Sequence, residues 1–308
     1  MGEYILRTID VCKKYGGRYA LDHVNMEIRK GQIYGFIGLN GAGKTTLFRA
    51  VCGLTPVSSG SIELFGEYGQ KGLDAARSRL GSMVETPGLY PGMTAEQNLE
   101  VQRLLTGTPG RGCIKDALQL VSLTDTGKKK VRNFSLGMKQ RLGLALALIS
   151  SPEFLVLDEP VNGLDPAGIA GIRELLKRLS EERGITILIS SHILSELSQL
   201  ATCYGIIHKG KLLKQLTAGE LEQESTQCLR IAVGDPSAAA VVIEKELGGV
   251  RFDVLPDNII KLYGFLDRSR EVNERLFRAG VPVDSITRSG QDLESYFMNL
   301  TKGAGYDA

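Results

Sequence analysis

The chain has 308 residues, 43% hydrophobic and 23% charged, with a formal net charge of +2. This length and composition suit a folded chain with a real core, one large domain plus a small one or two medium ones, and offer no electrostatic reason for broad nucleic-acid binding. The longest apolar run, Leu142–Ile149, is eight residues, well short of the roughly 20 that cross a bilayer. Met1-Gly2-Glu3-Tyr4 has neither the basic region nor the apolar core of a secretory signal. The cysteines, Cys12, Cys52, Cys113, Cys203 and Cys228, lie scattered without C-x-x-C spacing and read as free thiols of a reducing compartment.

In chain order, Ile33–Ile37 is a short apolar run ending in a glycine-rich turn, and a helical pattern follows from Lys44 to Cys52. Thr94 and Gln97 have capping-box spacing ahead of a helix that continues through Asn98–Leu105. Further helical patterns cover Ile114–Val121 and Leu136–Ile149. Phe154–Leu157 and Ile185–Ile189 are continuous apolar runs too short for helices and suited to strands buried on both faces. Between them, Asp165-Pro166 supplies a helix cap and a proline at the first helical position, and Gly184 ends that helix after Arg183. The alternation predicts an α/β domain over residues 1–223 built on a largely parallel sheet, with a helical subdomain at about 86–150.

The pattern changes from about Cys228. Strands are expected at Leu229–Val233, Val250–Leu255, Ile259–Tyr263 and Val281–Thr287, and helices at Pro236–Leu247 and Asp267–Ala279. A last helix, Leu293–Leu300, would be opened by Ser289 and Asp292. The order βαββαβ predicts a small ferredoxin-like α+β domain over 224–308, with no catalytic constellation of its own.

Chemistry concentrates in the first domain. Gly38-Leu39-Asn40-Gly41-Ala42-Gly43-Lys44-Thr45 satisfies G-x-x-x-x-G-K-[ST] between a strand and a helix. Glycines let backbone N–H groups turn inward around phosphate oxygens, Lys44 adds a compact positive charge, and the Thr45 hydroxyl is a hard oxygen for Mg²⁺. The helix begins with its positive end at the same place. Phe154–Leu157 runs directly into Asp158 and Glu159: the first carboxylate would face the Mg²⁺ shell, the second the attacking water.

In this order, GLNGAGKTT (38–46), NFSLGMKQR (133–141), LVLDEP (155–160), NGLDP (162–166) and SSH (190–192) resemble the motifs of ABC ATPase domains, over about residues 4–223. The resemblance implies an ABC-type P-loop NTPase with ATP and Mg²⁺, working as a head-to-tail homodimer. Two ATP molecules would lie between the phosphate loop of one subunit, extending to Thr46, and the signature segment of the other. Ser135 and Gly137 match signature positions that touch the γ-phosphate across the dimer. His192 matches the switch histidine that orients Glu159. Asp165 matches a loop that contacts the opposite subunit, and a helix cap is compatible with that role. Tyr15 sits where an aromatic stacks on adenine, the plainer reading being a core tyrosine.

Two departures stand out. Leu136 and Met138 replace the glycine and glutamine usual in the signature, and Glu85, 41 residues after Lys44, replaces a glutamine that helps ligate Mg²⁺. A carboxylate can ligate the cation there but adds negative charge beside ATP. Glu85, with PGLYPGMTAEQNL after it, SLGMKQRLGLA in the signature helix and LESYFMNLT near the end, resembles the bacitracin-export and lantibiotic-immunity branch. That implies export or exclusion of a membrane-active peptide antibiotic, with an integral-membrane permease as partner. The chain would then be cytoplasmic and peripheral on the inner membrane face. The permease's cytoplasmic helix would be received by Thr86–Gln97, which carries Leu89, Tyr90 and Met93. The rival class is a soluble ABC ATPase acting on ribosomes or nucleic acid. Translation-type members carry two cassettes and repair types long heptad insertions, so no nucleic-acid partner is expected of a chain with one phosphate loop.

Overall fold

The chain opens with two long strands, β1 (Tyr4–Tyr15) and β2 (Arg18–Arg29), which pair antiparallel. Gly16 and Gly17 join them, both at positive φ (52° and 83°), as a two-residue hairpin that keeps the strands' twist requires. β3 (Ile33–Ile37), α1 (Lys44–Val51) and β4 (Ser59–Leu64) follow, and β4 completes a three-stranded layer in the order β2-β1-β4. Next come α2 (Gly69–Arg77), β5 (Leu80–Met83) and three successive helices, α3 (Ala95–Leu105), α4 (Gly112–Leu120) and α5 (Leu136–Leu148). The capping box of Thr94 and Gln97 is formed in full at the start of α3. Then β6 (Phe154–Leu157), α6 (Pro166–Arg183), β7 (Thr186–Ser191), α7 (Leu194–Ser198), β8 (Cys203–His208) and β9 (Lys211–Thr217) return the chain to the sheet.

This computed structural model describes residues 3–192, 194–225, 227–289, 296–298 and 300–301, and the chain divides into two units, Met1–Ala218 and Gly219–Ala308. In the first, the six-stranded sheet has the order β5-β6-β7-β3-β8-β9, parallel apart from β9, which returns antiparallel to β8. Every residue of β3, β6 and β7 is buried, which is why β3 and β6 read as uninterrupted apolar runs, while β7 also buries Thr186, Ser190 and Ser191. Phe36, Phe48, Phe154, Val156 and Leu188 pack with Leu6, Val24 and Ile28 of the antiparallel layer in one core, each such side chain contributing about 1.5–3 kcal/mol on burial. The register sets Ile37 beside Ser191 and Leu157 beside Ile189. Gly38, Asp158 and His192 therefore leave the sheet at one edge, the carboxyl end of the strands, where open α/β sheets bind ligands.

In the second unit, α8 (Ala218–Ser225) leads to β10 (Cys228–Val233), α9 (Pro236–Glu246), β11 (Phe252–Leu255), β12 (Ile259–Leu262), α10 (Ser269–Arg278) and β13 (Val283–Ser289). The strands form an antiparallel sheet in the order β11-β12-β10-β13, with Leu229, Ile231, Ile243, Leu262, Val272 and Leu276 in its core. The last strand differs from expectation. It starts after Pro282, which has no N–H to give a ladder, and runs on to Ser289, opposite Cys228. Ser289 is thus a strand residue and does not open a helix. Of the expected helix Leu293–Leu300, only 296–298 and 300 fall among the described residues, and they are helical. Among the described residues, no helix is long and apolar enough to cross a membrane.

Candidate nucleotide site

Between β3 and α1 the chain wraps a cavity of about 190 Å³ lined by Ala20, Asn40, Gly41, Lys44, Thr45 and Glu159 among others. Gly43 holds φ 114°, and a β-carbon there would come within 2.6 Å of the Ala20 carbonyl oxygen. Glycine is required on both counts. Gly43 also serves as the N-cap of α1 without a side-chain cap, so the first N–H groups of that helix are left for a ligand. The Lys44 side chain is nearly buried and folds back so that Nζ donates to the Gly38 carbonyl at 2.6 Å. Leu39, Ala42 and Thr46 complete the loop and its first helical turn.

The second motif meets the first here. Thr45 Oγ1 donates to Asp158 Oδ2 at 2.7 Å, and the buried Ser190 hydroxyl donates to Asp158 Oδ1 at 2.6 Å. The same Ser190 oxygen accepts the Glu159 backbone N–H at 2.9 Å. Glu159, at φ 49°, turns its carboxylate into the cavity, with Oε2 2.7 Å from His192 Nδ1. Its Oε1 makes no hydrogen bond but lies 3.3 Å from the Lys44 ammonium. Lys44, Thr45, Asp158, Glu159 and His192 are thus brought together by the sheet edge. The paired oxygens of Thr45 and Asp158 are hard donors of the kind that suits Mg²⁺.

Other expected residues lie apart from this cluster. Tyr15, at the end of β1, is half exposed with the Lys13 ammonium 5.0 Å from its ring centre, so it is not a core tyrosine. Glu85, at φ 63°, is turned to Arg49 of α1, whose Nη2 donates to it at 2.6 Å. That bond, and then the charge behind it, pushes the Arg49 guanidinium above its usual range. Ser135 is the N-cap of α5 and accepts the Met138 N–H. Leu136 is exposed and reaches over Gly163, where a β-carbon would come within 2.9 Å of it. Gly137, in the first turn of α5, is half-buried, with Leu164 Cδ2 3.7 Å from where a β-carbon would stand, and Asp165 caps α6 through Gly168 N–H at 3.1 Å.

A family model described as ABC transporter matches residues 21–162. The bacitracin transport ATP-binding protein BcrA of Bacillus licheniformis is 44% identical over 299 residues, covering 97% of this chain and 98% of that protein. The chain belongs to the ABC transporter family, as one of its ATP-binding subunits.

The lantibiotic transport ATP-binding protein SrtF of Streptococcus pyogenes is 44% identical over 210 residues, 68% of this chain and 89% of that protein. Among solved structures, cbiO1 of Clostridium perfringens, part of the ABC transporter complex cbiONQ, superposes with a TM-score of 0.64 at 26% identity. That match covers 80% of this chain and 96% of cbiO1. The chain is accordingly an ABC transporter ATPase related to the bacitracin and lantibiotic transport systems.

The motifs did not disclose Ser190, Arg49 or Ala20. Ser190 stood inside the quoted SSH, two residues before His192, but only the register of β6 on β7 turns it into the link between Asp158 and Glu159. The structure also brings Cys12 near Asp22 and His23, a proximity that cysteine spacing alone did not suggest. Asp22 there is already held by His23 at 2.7 Å and Lys211 at 3.4 Å.

Proposed function

We propose that the chain binds and splits MgATP for a separate membrane permease, in a transporter that exports or excludes a membrane-active peptide antibiotic. The observation that carries the reading is the continuous set of contacts from Lys44 through Thr45 and Asp158 to Ser190, Glu159 and His192. The family's Mg²⁺ would be held by Thr45 and Asp158, with Glu85 as a further oxygen, and when bound it would neutralise charge on the phosphates.

The residues of the chain do the rest. Backbone N–H groups of Gly38–Thr46 and the uncapped start of α1 grip the phosphates, and Lys44 meets their outer oxygens. An arriving γ-phosphate competes for the ammonium that now lies near Glu159, leaving that carboxylate free to face a water in line with the phosphorus. His192 holds Glu159 from behind, and Ser190 fixes the backbone from which it projects. Catalysis of this kind is positioning plus charge stabilisation. Ser135 and Gly137, with Leu136 and Met138 beside them, would complete the γ-phosphate contacts of a second copy, and Asp165 would lie near that copy. Tyr15, exposed at the end of β1, offers its ring to the adenine.

Coupling to the permease has a suitable place. A cleft of about 330 Å³ lies between the end of α1, β5, the Thr86–Gly88 loop, α3 and α5, lined by Leu54, Met83, Val84, Pro87 and Leu146. Leu54, Tyr90, Leu104 and Leu105 expose apolar surface, fit for an inserted helix of a permease at the inner membrane face. The second unit reads as ferredoxin-like, since its first strand lies between the third and the fourth in the sheet, and it serves as a packing or regulatory appendage. Affinity purification of the tagged chain from detergent-solubilised membranes should bring down a hydrophobic permease. Recovery of ribosomes or DNA in its place would favour the soluble class of ABC ATPase.

A further inference from the structure

The glutamate that departs from the family pattern has a partner of its own. Glu85 and Arg49 are joined at 2.6 Å, Glu85 from the loop after β5 and Arg49 from the last turn of α1, five residues beyond the phosphate-gripping Lys44. Both side chains are about half exposed, and pairs of that kind contribute little to stability. Yet the loop holds Glu85 in a left-handed backbone conformation that a non-glycine residue seldom adopts, and its carboxylate is aimed at the guanidinium. Two residues before Glu85, the Met83 carbonyl accepts the Asp158 N–H at 2.8 Å, which ties this loop to the carboxylate that accepts from Thr45. The pair therefore stands within electrostatic reach of the phosphate site, where an extra negative charge opposes a triphosphate.

We propose that Arg49 is a positioning residue that makes a carboxylate tolerable at position 85: it neutralises Glu85 while no cation is bound and releases it to the cation that arrives with the triphosphate. The inference rests on reading the site as one for MgATP and deepens it. Glutamine at position 85 would need no such partner, being uncharged. In this chain the ligand loop and α1 are linked by charge, so occupancy of the cation site is read directly by the helix that grips the phosphates.

The test is a double-mutant cycle on the full chain, with ATP affinity measured by calorimetry in excess EDTA, then repeated with Mg²⁺. Without the cation, R49Q should bind ATP roughly fivefold more weakly than wild type, the size expected for one uncompensated charge near the phosphates. Removing both charges should undo this: the R49Q/E85Q chain should bind within about twofold of wild type, and R49K should keep most of the wild-type affinity. Adding Mg²⁺ should shrink the R49Q penalty, because Glu85 then has the cation, whereas a purely structural role for Arg49 would give the same loss in both conditions. A double variant as weak as R49Q, or no loss from R49Q, would overturn the inference while leaving the ATP site standing. A wild-type chain that bound no ATP would overturn both.

Discussion

Two helices of the ATPase unit, both proposed to face phosphate, begin in opposite ways. At α1, Gly43 caps nothing, Lys44 is buried and its ammonium is already ringed by the Gly38 carbonyl and Glu159. At α5, Ser135 caps its own helix by accepting the Met138 N–H, and Leu136 stands exposed beside it. The first helix start is finished by its own chain, through β6 and β7. The second presents its groups outward, with Ser135 and Leu136 both exposed. On the proposed reading, a single chain carries one complete phosphate grip and one half of another, which is what a protein needs if nucleotide is to join two copies.

The contrast can be broken most strongly at Lys44. Lys44→Ala should weaken ATP binding by the isolated chain on the order of ten- to hundredfold, the loss of about 1.5–3 kcal/mol expected for a hydrogen bond to a charged group. Unchanged affinity by calorimetry would remove the phosphate assignment. The signature side should respond differently. Ser135→Ala should leave ATP affinity of the lone chain within about twofold while lowering steady-state turnover roughly tenfold or more. It should also cost about 1 kcal/mol of stability, since the serine caps α5. A comparable loss of affinity and turnover would mean that the two sides are not separable in this way.

Much of this was legible from residue order. The runs Ile33–Ile37 and Phe154–Leu157 read as strands because both of their faces are covered, so no polar residue interrupts them. Lys44, Thr45, Asp158 and Glu159 followed from motif spacing at the ends of those runs. The antiparallel layer was not legible, since its alternation is broken by register shifts and by left-handed residues such as Asp10 and His23. Gly16-Gly17 between two mixed runs was the signal that could have revealed the hairpin. Ser190 and Arg49 were hidden for another reason. Each matters through what lies across from it, a neighbouring strand end for one and the loop after β5 for the other, and such proximity belongs to the fold, not to spacing along the chain.

In the proposed mechanism, Glu159 readies water beside a triphosphate that Lys44 already holds. ATP binding and phosphate release should therefore be measured side by side for the wild-type chain and Glu159→Gln, each with its permease and Mg²⁺. Binding should persist in the variant while phosphate release falls about a hundred- to ten-thousandfold, the range for losing a general base. Steady-state hydrolysis equal to wild type would contradict it.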